Sequence, residues 1–321
     1  MNNSSVGSHP FVSVIVIVYN MEKTIKKCLD SLFRQTYPRD RYEVIVVDGG
    51  STDGTRKIID EYDVVFLVEK RKVRGYARNL GIKNAKGKIM LFIDADCSAE
   101  SGWLMTHVDN HVGNPRLGAV GGSMMHLFAE VSDVRAKFSR PIVALNAGEY
   151  LPSASRRYVL QIPTSNASFR RGVFEEVGLF DENLHVGEDA ELCLRILEKG
   201  YKILFDPKAC VLHYNDYHFR QLANVQSCLL GRRIRLFMHI YFRGGRVHYK
   251  LQRKRRSLNY FMLPMSSFLI IFLFFGLVGI RFFRNLHKMR YSTPKLIRYF
   301  PYILLASISW VSGYFFESVG G

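Results

Sequence analysis

The feature that most constrains the fold is an alternation of apolar β-branched runs with helical segments in the first hundred residues. Residues 12–19 form a continuous β-branched run, which is typical of a strand buried on both faces of a parallel sheet. The strand–helix unit then recurs, and the predicted strands cover residues 12–19, 43–47, 64–68 and 88–93. This alternation predicts a doubly wound α/β sheet, with ligands bound beyond the carboxyl ends of its strands.

The middle of the chain has a weaker pattern. Residues 119–125 and 201–205 have the composition of further strands, and residues 188–199 have the spacing of an amphipathic helix. Residues 129–150 fit either a helix or a loop that contacts a second substrate. The α/β pattern therefore continues, less regularly, to about residue 216.

Charge is divided unevenly along the chain. The formal net charge is +17, yet Lys and Arg almost balance Asp and Glu over residues 1–216. Residues 217–321 contain 17 Lys and Arg and a single acidic residue, Glu317. A basic region of this kind suits anionic partners, including a lipid surface. We therefore expect a nearly neutral globular domain followed by a basic tail with a separate role.

Long apolar segments also occur in this tail. Residues 260–280 carry no charge and are long enough to span hydrocarbon, whereas residues 299–316 form a marginal span. Residues 222–243 suit a helix lying in the membrane interface, although an ordinary surface helix is an alternative. The predicted organisation is a disordered stretch at 1–10, a globular domain at 11–216, basic amphipathic interface helices at 217–258 and a membrane-embedded region at 259–321.

Basic clusters bear on the orientation of the tail. The cluster at 253–256 is expected to face the cytosol, which predicts a globular domain on the cytoplasmic face of the cell membrane. The connector at 281–298 carries six Lys and Arg, which conflicts with the positive-inside rule if both apolar segments span. A re-entrant first segment or a surface-lying second segment is therefore an alternative to the two-helix hairpin that we favour. The five cysteines form no C-x-x-C pair and residues 1–10 lack a signal peptide's apolar run, so we expect reduced thiols.

One acidic pair, Asp94 and Asp96, follows a predicted strand. Two carboxylates at a strand end suit Mg²⁺ or Mn²⁺, which also take phosphate oxygens from a substrate. A solvated turn is the alternative interpretation. His213 follows the last predicted strand and is a candidate third ligand, or a buried structural histidine.

Two other acidic positions are candidates for chemistry. Asp48 ends a predicted buried strand and precedes two glycines, so it could accept a hydrogen bond from a base N–H or simply form an Asx-turn. Asp189, next to Glu188, begins a predicted helix. Its carboxylate could act as a general base, or could only favour the positive end of the helix dipole.

Seven segments together resemble a known family. They are VIVIVYN at 14–20, VVDGGSTDGT at 46–55, ARNLG at 77–81, IDAD at 93–96, SNASFRR at 165–171, VGLFDE at 177–182 and GEDAEL at 187–192. In this order they are similar to family 2 glycosyltransferases with the GT-A fold, over about residues 11–215. The resemblance implies a Rossmann-like, mostly parallel mixed sheet flanked by helices, a nucleotide-sugar donor and a Mn²⁺ or Mg²⁺ cofactor.

The resemblance also implies roles for individual residues. Asp189 would be the catalytic base of a single displacement that inverts the anomeric centre. Asp48 would read the base, Asp94 would face the ribose or sugar, and Asp96 would ligate the metal, with Asp94 and His213 as further metal candidates. The other implied donor contacts are Val18, Tyr19, Asn20, Glu22 and Gly49 in the nucleotide pocket, Arg74 and Arg78 at the diphosphate, and Asn166 and Glu188 near the sugar.

Two departures from the family pattern refine the expectation. Gly187 stands where the family often has Thr before the Glu-Asp pair. The Trp-ending interfacial motif of processive, polymer-extending members is missing. Arg232 and Arg233 resemble it only loosely. We therefore expect addition of a single sugar, with Arg232 and Arg233 at the phosphate headgroup of the acceptor.

The expected function is a metal-dependent inverting transfer of a hexose from GDP-mannose or a UDP-sugar to a polyprenyl- or dolichyl-linked glycan or glycolipid. No nucleic acid and no obligate protein partner are expected. A basic nucleic-acid binder is disfavoured by the charge-free run at 260–280. A nucleotidyltransferase is disfavoured because YNME at 19–22 replaces a Gly-rich basic loop, and an inactive membrane scaffold is disfavoured by the joint presence of the four candidate aspartates.

Overall fold

A computed structural model describes residues 9–71, 73–127, 152, 154–184 and 187–214. Most of the predicted disordered N-terminus lies outside these residues, as do the interface helices with Arg232 and Arg233 and the apolar segments 260–280 and 299–316. Within the described part of the chain, no helix has both the length and the apolar character needed to cross a membrane.

The first half of the sheet confirms the predicted alternation. Its four strands are parallel and lie in the order β3-β2-β1-β4. The strands are β1 Val12–Val18, β2 Tyr42–Asp48, β3 Val65–Val68 and β4 Ile89–Asp94, and the helices are α1 Ile25–Phe33, α2 Thr55–Ile59 and α3 Arg74–Asn84. A short 3₁₀ turn, Arg39–Arg41, leads into β2. The β1 side chains are almost fully buried, because helices cover both faces of a parallel sheet.

The second half of the sheet is less regular than the sequence suggested. Its strands are β5 Cys97–Ala99, β6 Leu117–Leu127, β7 Arg157–Tyr158, β8 Asn166–Arg170 and β9 Lys202–Tyr214, and its helices are α4 Trp103–His111, α5 Arg171–Val177 and α6 Glu188–Glu198. The strand order is β3-β2-β1-β4-β8-β6-β9-β5, with β7 beside β9. Antiparallel pairs join β8 to both β4 and β6, and β9 to both β5 and β7. Strand β6 is parallel to β9, so the sheet is mixed, as the resemblance implied, with its longest ladders parallel.

A bulge interrupts the pairing of β6 with β9. Gly122 is paired with Asp206, but the next residue, Ser123, is paired with Cys210, so three residues of β9 are extra. The amide of Asn166 donates to the carbonyls of Ser123 and Ala209, both at 2.8 Å, and holds the bulge closed. A Cβ at Gly122 would lie 1.9 Å from the Ala209 carbonyl oxygen, so only glycine fits there.

Candidate active site

The carboxyl ends of the parallel strands bring the predicted donor residues to one edge. In the strand register Asp48 is paired with Val18, and Asp94 is paired with Ile17 on the other side of β1. Asp48 and Asp94 therefore lie two strand spacings apart, about 10 Å. This edge is where ligands bind in open α/β sheets.

Two loops at this edge, residues 19–22 and 48–55, are joined to each other and are called the donor loops below. The Thr52 amide donates to Asn20 Oδ1 at 2.8 Å, and the Gly54 amide donates to Glu22 Oε2 at 3.0 Å. Asn20 has a φ of 52°, a left-handed conformation that Asn tolerates better than most residues. Asn20 and Glu22 thus use side-chain oxygens to shape the loops, a role that was not predicted for them.

Asp48 is held within its own loop. Its carboxylate accepts the Ser51 amide at 3.1 Å and the Ser51 hydroxyl at 2.6 Å, which is the Asx-type turn considered above. Gly49 lies against the Tyr19 side chain, where an added Cβ would come within 3.3 Å of Tyr19. The Val18 side chain, by contrast, is buried.

A cluster of possible metal ligands lies next to this edge. Asp96, Cys97 and His213 each offer one ligand atom, and these atoms lie within 4.8 Å of one another. His213 Nε2 lies 3.4 Å from Asp96 Oδ1, and Asp96 is 1% exposed. The sequence predicted Asp96 and His213 together but did not predict Cys97. Asp94, the other predicted metal candidate, is half-buried and is not part of this ligand group in the described structure.

Arg78 and Glu188 form a buried ion pair between α3 and the start of α6. The guanidinium donates to Glu188 Oε1, and both side chains are only 3–4% exposed. Arg78 also lies 5.4 Å from the centre of the Phe180 ring. Arg78 was predicted to contact the diphosphate and Glu188 the sugar; in this structure the two charges neutralise each other inside the protein. Arg74, one helical turn earlier on α3, is exposed and keeps its charge at the surface.

Asp189 follows this ion pair at the first turn of α6 and is half-buried. Burial and the neighbouring Glu188 raise the pKa of its carboxyl, while Arg78 and Arg74 act in the opposite direction. Gly187 caps the helix with a φ of 85°. A β-branched Thr is unfavourable in that conformation, which accounts for the departure at this position.

Two residues for which the sequence predicted no role, Asn79 and Arg195, hold the segment 177–180 that precedes α6. Asn79 donates to the Phe180 carbonyl at 2.9 Å and accepts the Phe180 amide at 3.0 Å. Arg195 pairs with Glu191 at 2.8 Å and donates to the Leu179 carbonyl at 2.7 Å. Asn79 lies in the ARNLG segment at 77–81. A polar residue on an otherwise buried helix face could have indicated its structural role.

Asn166, predicted as a donor-sugar contact, is fully buried in this structure. Its Oδ1 accepts the Trp103 indole N–H at 2.7 Å and lies 3.0 Å from His107 Nε2, while its amide spans the bulge. Ser168 then lies between His107 Nδ1 and His111 Nε2, at 2.8 and 2.9 Å. Burial lowers the pKa of His107 to about 4 and that of His111 to about 3, so both rings are neutral at pH 7.

Comparisons with known proteins agree on the kind of protein. The model of the family described as Glycosyl transferase family 2 matches residues 13–178. Glycosyltransferase AglE of Haloferax volcanii is 34% identical over 202 residues, which cover 61% of this chain and 64% of the relative. Dolichyl N-acetyl-alpha-D-glucosaminyl phosphate 3-beta-D-2,3-diacetamido-2,3-dideoxy-beta-D-glucuronosyltransferase of Methanococcus voltae is 30% identical over 218 residues, covering 64% of this chain and 67% of the relative. The match thus spans about two-thirds of the length of either relative.

A solved structure is similar in fold. Mannosyltransferase PcManGT from Pyrobaculum calidifontis, determined in complex with GDP-Man and Mn²⁺, has a TM-score of 0.59 at 20% identity. The alignment covers 97% of this chain and 88% of that one. At this level of identity the likeness supports a shared GT-A fold.

Proposed function

Because this chain belongs to glycosyl transferase family 2, we propose that it transfers a sugar from a nucleotide donor to a lipid-linked acceptor, with Asp189 as the base. The observation that carries the proposal is the approach of His213 to Asp96, at 3.4 Å, beside the sheet edge that bears Asp48. These residues are far apart in the sequence, and their convergence needs the whole domain. The relatives named above support the class of reaction.

The donor loops are the proposed nucleotide site. Asp48 is held rigidly by Ser51, so its carboxylate has a fixed orientation from which to accept a base N–H. The exposed Arg74 is the proposed diphosphate contact, since a guanidinium matches phosphate oxygens with two parallel hydrogen bonds. Interlocked loops of this kind reduce the ordering that donor binding requires.

Asp96 and His213 are the proposed residues that hold a divalent cation. A carboxylate and an imidazole that already approach each other fit Mn²⁺ or Mg²⁺, and PcManGT was determined with Mn²⁺. When bound, such a cation supplies neutralisation of the charge that develops on the leaving diphosphate. Burial of Asp96 keeps its oxygens in a defined orientation toward the site.

Asp189 is the proposed general base. It removes the proton from an acceptor hydroxyl, whose oxygen bonds to the anomeric carbon while the bond from that carbon to the diphosphate breaks. The nucleoside diphosphate leaves from the opposite face, so the anomeric centre is inverted. A raised pKa suits this role, because it makes the ionised carboxylate a stronger base. The rate of transfer should therefore fall as pH falls through that raised pKa.

The acceptor is proposed to be a polyprenyl- or dolichyl-phosphate-linked sugar. The name of the Methanococcus voltae relative describes a dolichyl-phosphate acceptor, and the basic, apolar sequence after residue 216 suits a lipid surface. We extend the proposal to a cell-membrane location with the domain on the cytoplasmic face, where nucleotide sugars are available. Arg232 and Arg233 remain the proposed headgroup contacts.

The test begins with thermal unfolding of the full chain in detergent. GDP- and UDP-sugars are added, each with and without Mn²⁺ or Mg²⁺. Stabilisation by one nucleotide class that requires the metal and is lost in Asp96→Asn is expected. Asp109→Asn, an exposed aspartate on α4, is the matched control and should respond like the unmodified protein.

The second part measures sugar transfer to a polyprenyl-phosphate-linked acceptor. Asp189→Asn should lower the rate about 10²- to 10⁴-fold while donor-dependent stabilisation persists. If no nucleotide stabilises the protein, the enzyme proposal is wrong and an inactive scaffold is the better account. If Asp189→Asn transfers normally, the base is another residue.

A further inference from the structure

We propose that Cys97 completes a three-ligand site with Asp96 and His213, and that this site binds thiophilic divalent cations such as Zn²⁺ more tightly than Mg²⁺. The inference rests on the proposed function only in sharing its metal site, because it requires neither nucleotide nor acceptor. Ligands predicted from the sequence comprised two aspartates and a histidine, without a thiol. The thiol changes which cations the site prefers.

Backbone pairing puts the thiol and the imidazole on one face. Strands β5 and β9 are antiparallel, and Cys97 is directly opposite His213 in their register. Opposed residues of an antiparallel pair project to the same side, with Cβ atoms about 4.5–5.5 Å apart. The Tyr214 amide donates to the Asp96 carbonyl at 2.8 Å, which continues the ladder by one residue. The strands therefore fix this juxtaposition before any ion binds.

The side-chain distances are close to those of a coordinated set. The Cys97 thiol donates to Asp96 Oδ1 at 3.9 Å, and His213 Nε2 lies 3.4 Å from the same oxygen. All three ligand atoms lie within 4.8 Å of one another. Ligands at about 2.0–2.3 Å from one ion lie at most about 4.6 Å apart, so small side-chain adjustments are sufficient.

The chemistry of the donor set then decides the preference. Oxygen ligands alone suit Mg²⁺, whereas a thiolate with an imidazole suits Zn²⁺, and affinity for a given site generally rises from Mn²⁺ to Zn²⁺. Three protein ligands leave one position open, as in many zinc sites. Formation of the metal–sulfur bond releases the thiol proton to solvent. Zn²⁺ should therefore compete with Mn²⁺ or Mg²⁺ at this site.

Cys28 provides a matched comparison. It is also a fully buried thiol near the same strand end, and it donates to the backbone carbonyl of Asp94 at 3.7 Å. It is not among the ligand atoms that converge on Asp96 in the described structure. Substitution of a buried thiol that only lies near the site should leave metal binding unchanged, as expected for Cys28. Comparison of the two cysteines therefore distinguishes a metal ligand from a neighbouring thiol.

The experiment titrates Co²⁺ into the full chain in detergent, without nucleotide, and records the absorption spectrum. A thiolate-to-cobalt charge-transfer band in the near ultraviolet is expected, and Zn²⁺ should displace it at concentrations at which Mg²⁺ does not. Cys97→Ser should abolish the band and lower Zn²⁺ affinity at least about tenfold, since even changes outside the ligand shell have effects of that size. Cys28→Ser should keep the band.

A band that survives Cys97→Ser, or cobalt binding without a band in the unmodified protein, would overturn the inference. Cys97→Ala gives the same comparison if the serine variant unfolds, as judged by circular dichroism. A cobalt band without any response to sugar nucleotides would refute the proposed function alone. A nucleotide response without the band would refute only the role of Cys97.

Discussion

The donor loops and the first turn of α6 are both rigid, but different interactions hold them. Several contacts from polar side chains to backbone amides join the loops, among them Asn20 to Thr52 and Glu22 to Gly54, close to solvent. One buried ion pair, Arg78 with Glu188, fixes the turn that carries Asp189. Loss of one contact should therefore change the loops slightly, whereas loss of either partner of the ion pair should disrupt the turn.

The difference follows from what each region is proposed to do. Donor loops must admit and release a charged ligand, and hydrogen bonds near water allow this at little energetic cost. A general base benefits from partial burial that raises its pKa, and the fully buried charges of Arg78 and Glu188 beside it are tolerated because they neutralise each other. Because one buried ion pair holds the first turn of α6, the position of Asp189 is well defined but sensitive to mutation of either partner.

The largest effect is expected from Glu188→Ala. It leaves the Arg78 guanidinium buried and unpaired, so the free energy of unfolding should fall by about 3–5 kcal/mol. Thermal unfolding of the full chain measures this, with Glu198→Ala, an exposed position on the same helix, as the control. The double change Arg78→Met with Glu188→Leu should be less destabilising than Glu188→Ala. Equal effects of Glu188→Ala and Glu198→Ala would contradict the comparison.

A smaller effect should come from acid acting on the buried histidines. The pKa values of His107 and His111 in the folded protein, about 4 and about 3, lie below the ordinary 6.5, so the unfolded chain binds more protons at intermediate pH. Stability should therefore fall as pH drops from about 6.5 toward 4, by about 2 kcal/mol or more at pH 5.

Melting temperatures across this pH range measure the effect. His107→Gln should show a shallower dependence on pH because one titrating group is gone, whereas His9→Gln, a partly exposed histidine outside the network, should keep the full dependence. An unchanged slope in His107→Gln would mean that other groups cause the loss.

The smallest effect should come from the donor loops. Asn20→Ala loses the contact with Thr52 and leaves alanine at a φ of 52°, so a loss of about 1–2 kcal/mol is expected. Asn20→Gly removes the same contact without the backbone strain and should be milder. Unfolding and donor titrations on both variants measure this. If the glycine variant is the worse of the two, loop flexibility matters more than conformation.

Much of the first half of the fold could be predicted because its signals are local. Strand β1 is a continuous β-branched run, and α1 and α6 bury apolar side chains at helical spacing. Asp96 and His213 could each be predicted as a candidate metal ligand, since carboxylates and imidazoles are expected ligands of a divalent ion, whereas their approach depends on the pairing of β5 with β9. These inferences require only a residue's own chemistry and its near neighbours.

The features that were missed depend on distant partners. Strand β5 has three residues, too few for a period, and β8 contains Asn166 and Ser168, which are polar yet buried. Their burial is tolerated because Trp103, His107, His111 and the carbonyls at the bulge form hydrogen bonds with them. The local sequence does not identify those partners. Likewise, Arg78 and Glu188 are 110 positions apart, so the local sequence did not predict that they pair with each other.

The bulge in β9 also determines which face of the sheet the later side chains of the strand occupy. Side chains alternate between the two faces of a sheet, so an odd number of extra residues exchanges the faces for everything that follows. Three residues are inserted between Asp206 and Cys210, and His213 comes after them. Deletion or duplication of one residue there would turn the imidazole to the opposite side while every ligand remained in the sequence. The length of this short stretch is therefore as much a determinant of the site as the identity of its ligands.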